Sequence, residues 1–107
     1  MVVMTTILSG ATGELDLFTG RNLRDRLGAA IRASDGPVIV DLSSVSLVDS
    51  ASLATLLNAR RRLARAKRGF AVVCPPGPGR RLFELTRLEG DLGVTGTLDE
   101  AMAAVAA

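Results

Sequence analysis

The 107-residue chain has no histidine, no tyrosine and no tryptophan, a single cysteine (Cys74) and a single lysine (Lys67). Without histidine the commonest general base is missing. Neither a Ser-His nor a Cys-His nucleophile pair can be assembled within the chain, and a zinc site with Cys/His spacing cannot be written. A lone lysine preceded by Arg-Ala supplies no GxxxxGK phosphate loop, which excludes a P-loop nucleotide hydrolase. One cysteine closes no intramolecular disulfide, and Cys74, ending an apolar run, reads as a small buried hydrophobe. The start Met1-Val2-Val3-Met4 has no charged segment leading into an apolar core and cleavage site, and no apolar run approaches the ~20 residues of a spanning helix. These absences predict a cytoplasmic protein without membrane insertion, and no cofactor is expected. The length and the 48% hydrophobic content predict one domain over residues 1–107 with a modest core.

Charge is mostly arginine: twelve Arg and one Lys stand against seven Asp and four Glu, for a formal net charge of +2. The aromatic residues are only Phe18, Phe70 and Phe83. Nucleic-acid binding needs a concentrated basic surface and, for single strands, stacking aromatics, so no direct nucleic-acid partner is expected.

Two kinds of hydrophobic segment alternate along the chain. Val38-Ile39-Val40 and Ala71-Val72-Val73 are short, mostly β-branched runs of the kind buried on both faces of a sheet. Between Arg21 and Ala33, Leu23, Leu27, Ala30 and Ile31 recur at helical spacing, with Arg24, Asp25 and Arg32 on the other side. A second helical stripe (Leu53, Leu56, Leu57, Leu63, Ala64) runs from about Ser50 to Lys67 and stops at Gly69, and a short helix is expected around Arg80 to Thr86. Thr97-Leu98-Asp99-Glu100 is a capping box opening a last helix on Leu98, Ala101, Met102 and Val105. Val2 to Leu8 has strand propensity, Ser9-Gly10 reads as a turn, and Ala11 to Leu15 suits a second short strand closing at Asp16. The predicted fold is α/β: a mixed, mostly parallel sheet of four to five strands packed against about four helices.

The stretch from Asp41 to Leu53 leaves a buried strand and enters the second helix, presenting Asp49, Ser50 and Ser52 where backbone N–H groups have no intrahelical acceptor. One reading is plain capping, which contributes about 0.5–2 kcal/mol. The other is covalent modification of Ser50. A phosphate there would sit at the positive end of the helix dipole and add about −1.5 to −2 charge to an exposed surface, retaining the fold while repelling a partner.

The ordered set Gly13-Glu14-Leu15-Asp16, Val38-Ile39-Val40-Asp41-Leu42, Val48-Asp49-Ser50-Ala51-Ser52-Leu53, Arg81-Leu82-Phe83-Glu84-Leu85-Thr86-Arg87-Leu88 and Thr97-Leu98-Asp99-Glu100-Ala101 resembles a STAS domain. Within that family it is most similar to the bacterial anti-sigma factor antagonists. The resemblance covers about Met4 to Val105. It implies a non-enzymatic protein, monomeric or weakly dimeric. In its unphosphorylated state such a protein binds an anti-sigma factor of the serine-kinase, histidine-kinase-like ATPase type and so frees a sigma factor. It further implies that Ser50 is the phosphorylated residue and that Asp16, Asp49, Ser50, Ala51, Ser52, Leu53, Thr55 and Leu56 carry the partner surface. A second reading within the family is an unphosphorylated interaction module of a lipid-transport ATPase complex or a stress-signalling scaffold, with Ser50 as a helix cap. The chain departs from the family pattern at Ser52, where Gly is usual and a second hydroxyl is now offered, and at Arg87, where a helix-ending Gly is usual.

Three further features have ordinary explanations. Arg60, Arg61, Arg62, Arg65, Lys67 and Arg68 crowd the second helix without an acid among them. At 100° per residue Arg61, Arg65 and Arg68 share an outward stripe, while Arg60 and Lys67 fall inside the apolar arc and would snorkel from its rim. A solvated face near the helix C-terminus accounts for them, and steering of an acidic partner is the functional alternative. Gly77-Pro78-Gly79-Arg80-Arg81 looks like an anion loop, but Pro78 removes a donor and turn chemistry suffices. Asp16 suits a cap or orienting residue of the first helix region, and Asp41 a strand end, better than the two suit a catalytic carboxylate pair. A hydrolase built on Asp49 and Ser50 would have no base beyond a neighbouring carboxylate and no oxyanion motif.

Overall fold

In the computed structural model, which describes residues 5–9, 20–43 and 50–106, strands and helices alternate as the periodicity predicts. Strand β1 (Thr6–Ser9) leads to α1 (Gly20–Ala33), β2 (Val38–Asp41), α2 (Ser50–Arg65) and β3 (Phe70–Val73). A 3-10 turn (Pro78–Arg80) then runs into α3 (Arg81–Thr86), followed by α4 (Glu89–Leu92), β4 (Val94–Thr95) and α5 (Leu98–Ala106). All four strands are parallel and lie side by side in the order β1-β2-β3-β4, with Thr6 opposite Val38, Val38 opposite Phe70 and Val72 opposite Val94.

That order decides where the helices go. Parallel strands added one after another in a single direction, each through a right-handed crossover, place every connecting helix on the same face. The main core lies there. Val38, Val40, Leu42, Phe70, Val72 and Cys74 point from the sheet toward Leu23 and Leu27 of α1, Leu53, Leu56, Ala59 and Leu63 of α2, Phe83 of α3 and Leu92 of α4. Because strand side chains alternate, Ile39, Ala71 and Val73 face the opposite way, and α5 covers them with Ala101 and Val105. The apolar runs in β2 and β3 are therefore continuous because both faces of each strand are covered.

Several expectations need adjustment. The first strand runs through Ser9, so the turn expected at Ser9-Gly10 does not begin before it. The short strand expected over Ala11 to Leu15, which would have made the sheet mixed, lies outside the described residues, as does Asp16; the sheet among the described residues is wholly parallel. There are five helices rather than about four among the described residues, the addition being α4, which at four residues is too short to show a period. The two-residue strand β4 was likewise invisible to pattern. The capping box forms with one change: the Glu100 N–H donates to Thr97 Oγ1 at 3.1 Å, but the Glu100 carboxylate accepts from the Gly96 N–H, also at 3.1 Å, instead of from that of Thr97.

Helix endings follow a shared device. After α3 the Arg87 N–H reaches Glu84 O and the Leu88 N–H reaches Phe83 O; after α2 the Lys67 N–H reaches Ala64 O and the Arg68 N–H reaches Leu63 O. Both are Schellman endings, and both put a non-glycine in the left-handed region, Lys67 at φ 57° and Arg87 at φ 58°. The helix end that the missing glycine put in question is thus kept, with the arginine held in a conformation that glycine adopts without strain. At Gly93, φ is +63° and an added Cβ would also lie 3.1 Å from the Phe70 carbonyl, so this glycine serves both the turn out of α4 and the close approach of β4 to β3. Arg87, by contrast, is exposed. Arg87→Gly is therefore expected to stabilise the domain by about 0.5–1 kcal/mol, less than the full left-handed penalty because glycine also loosens the unfolded chain. An unchanged or lower urea midpoint would count against this account of the α3 ending.

Candidate functional site at the start of the second helix

Parallel strands place all their C-terminal ends at one edge of the sheet, and α2 begins there, after β2 and the turn that follows it. Asp41 ends β2 by accepting the Ser43 N–H on Oδ1 at 2.9 Å, which commits this carboxylate to a local turn. Ser50 is the first residue of α2 and is exposed, as is Ala51. Its neighbours alternate as a helix on a sheet requires. Ser52 is 3% exposed, Leu53 8% and Leu56 0%, all turned inward, while Ala54 faces solvent. Thr55 is half-buried and returns its hydroxyl hydrogen to Ala51 O at 3.0 Å. Of the residues expected to form a partner surface, Ser50, Ala51 and Thr55 present side chains outward. Ser52, Leu53 and Leu56 hold the helix to the core, and Asp16 and Asp49 lie outside the described residues. The second hydroxyl offered by Ser52 is buried, so the exposed hydroxyl of this turn is that of Ser50.

The basic set divides once the chain is folded. Arg60 donates through Nε to Asp91 O, meeting a free carbonyl at the end of α4. Arg68 does not share the outward stripe of Arg61 and Arg65, because α2 stops at Arg65 and the left-handed Lys67 redirects the chain. Its Nε donates to Gly36 O at 2.8 Å and its Nη1 to Ile31 O at 2.9 Å, so the guanidinium closes the C-terminal end of α1. Arg80, in the loop that looked suited to anions, stands 3.1 Å from Glu89 Oε2. Cys74 is buried, and desolvation raises its thiol pKa above the ordinary value, with nearby Arg80 partly opposing. It is a packed, unreactive thiol.

A family model described as "Mlab, STAS domain" matches residues 10–101 of the chain. The chain belongs to the STAS domain family. Two solved structures share the fold. The protein TM1081, determined by NMR, superposes with a TM-score of 0.72 at 22% identity, over 95% of this chain and 82% of that one. A sulfate transporter family protein from Wolinella succinogenes superposes with a TM-score of 0.66 at 17% identity, over 99% of this chain and 89% of that one. No curated protein matches in sequence. STAS domains are protein-interaction modules. Among the described residues of this STAS domain no helix is long and apolar enough to cross a membrane. Sequence reasoning did not find Arg24 of α1 as a neighbour of the α2 arginines. Its position on the polar side of α1 was legible, but which helix would lie beside it was not.

Proposed function

We propose that this STAS domain is an anti-sigma factor antagonist: a non-enzymatic, cytoplasmic ligand of an anti-sigma serine kinase, switched off by phosphorylation of Ser50. The observation that carries this reading is the contrast within one helical turn between the exposed Ser50 and the buried Ser52. A kinase can engage the first hydroxyl without unfolding α2. A phosphate on it would be stabilised by the positive end of the α2 dipole, so the fold survives. The added charge of about −1.5 to −2 would stand on the docking surface made by Ser50, Ala51 and Thr55, where a partner fitted to a neutral hydroxyl meets both repulsion and desolvation. ATP and the phosphoryl-transfer groups belong to the partner in this scheme, which suits a chain without histidine.

Incubation with candidate kinases from the same genome and ATP, followed by phosphopeptide mapping, tests the proposal. Ser50→Ala is expected to keep kinase binding and accept no phosphate, and Ser50→Asp to lose binding. Efficient phosphate transfer to Ser50→Ala, or modification of Ser52 alone, would overturn the site. A second reading draws support from the Mlab description of the matching family model and from the sulfate transporter family neighbour: a permanently docked module of a transport complex, with Ser50 as a cap. Under that reading the protein co-purifies with a transporter ATPase, carries no phosphate, and Ser50→Asp leaves the complex intact.

A further inference from the structure

Helices α1 and α2 pack side by side, and their outer surfaces enclose a groove of about 390 Å³. Its floor is apolar, with Leu27 and Ile31 of α1; its walls carry Arg24 from α1 and Arg61, Arg62 and Arg65 from α2, and no acidic residue lines it. All four arginines are exposed, and among the described residues none has a hydrogen-bond or ion-pair partner. This distinguishes them from Arg60, Arg68 and Arg80, each of which is engaged. Proximity to a helix C-terminus accounts for Arg62 and Arg65, which lie in the last turn of α2. It does not account for Arg61, or for Arg24 one turn into α1, where the dipole offers a cation nothing. Four like charges gathered around one apolar slot repel one another and lower the stability of the isolated domain.

We propose that the α1–α2 groove is the docking surface for an acidic, amphipathic helical segment of a partner protein. Such a segment would lay its apolar side on the half-buried Ile31, above the core-packed Leu27, and its carboxylates between the four guanidinium groups. Charge complementarity selects the occupant's sign, and the apolar floor between two helices selects a helix face. A nucleic acid strand would need stacking side chains, and the described aromatics, Phe70 and Phe83, are both buried. A membrane surface would need apolar side chains flanking the basic ones, and the exposed large hydrophobics Ile7, Leu85, Leu98 and Met102 all lie on other elements. The groove does not depend on Ser50. It begins about one turn along α2 from that residue, at Thr55, and runs away from it.

Fluorescence anisotropy with a labelled amphipathic peptide of about four turns, Leu on one face and Glu on the other, tests the groove directly. Saturable binding is expected, weakening as salt rises through ~0.15 M and falling about tenfold or more in the double variant Arg61→Glu/Arg65→Glu, which corresponds to about 1.4 kcal/mol. The double variant is expected to melt no lower than the parent, since it relieves repulsion, so lost binding will not reflect lost fold. A peptide with Lys in place of Glu should not bind. The proposal is overturned by absence of peptide binding, by equal affinity for parent and variant, or by tighter, Arg61- and Arg65-dependent binding of an oligothymidylate or of phosphatidylglycerol vesicles.

Discussion

Leu56→Ala is expected to destabilise the domain by about 3–5 kcal/mol, at the upper end of the range for a buried leucine. Leu56 is fully inaccessible and sits in the main core with Val38, Val40 and Val72 of the sheet and Leu53 and Leu63 of its own helix. Truncation loses the transfer free energy of the removed carbons and leaves a cavity whose walls are strands covered on both faces, which have little freedom to move inward. A domain of this length has only about 5–15 kcal/mol in all, so the variant would be partly unfolded at modest urea concentrations. The measurement is a urea titration in which the midpoint falls while the slope is unchanged. A loss below about 1 kcal/mol would contradict this packing. The result also bears on function. Leu56 belongs to the set that the family resemblance assigned to partner contact, and in the fold any loss of binding on its truncation would arise from a loosened α2.

Arg68→Met is expected to lower stability by about 2–3 kcal/mol, although the thioether preserves much of the packed stem. The arginine donates to Gly36 O and Ile31 O at once, and both carbonyls belong to the descent from α1 into β2. Ile31 O is among the last carbonyls of α1, which have no helical donor of their own. Removing the guanidinium leaves two part-buried acceptors unpaired, a larger effect than the loss of one average hydrogen bond. Its Nη2 is buried without a partner among the described residues, a cost that the two bonds already offset. Arg68→Lys should recover only part of the loss, because one ammonium on a single stem does not span two carbonyls as a planar fork does. Thermal melting would show a drop of about 10 °C or more for methionine and a smaller one for lysine. Hydrogen exchange should accelerate first in the last turn of α1. Equal melting of all three proteins would remove Arg68 from this role.

Periodicity carried most of the architecture because the large elements each have one dominant environment. The Leu23 to Ile31 and Leu53 to Leu63 stripes each face one sheet, and Val38 to Val40 and Ala71 to Val73 are enclosed on both sides, so the patterns were clean. Legibility failed where an element spans only about one period, so that no pattern can recur. Helix α4 has four residues and β4 has two, and both exist because the chain leaving α3 must return to pair beside β3. The arginines failed for a different reason. A helical wheel assumes that the helix continues, and the left-handed Lys67 ends that assumption one residue before Arg68.

By itself the sequence determined the α/β class, the absence of histidine-based and P-loop chemistry, the capped start of α5, and the serine that opens α2. These depend on residue identity and on neighbours within a turn or two along the chain. Only the tertiary structure decided that Ser50 is exposed while Ser52 is buried, that Arg68 closes the end of α1, and that Arg24 joins Arg61, Arg62 and Arg65 around one groove. Each of those facts depends on which face of a helix meets the sheet, or on which helix lies beside another. Such contacts between segments distant in sequence are set by the summed burial of the whole core.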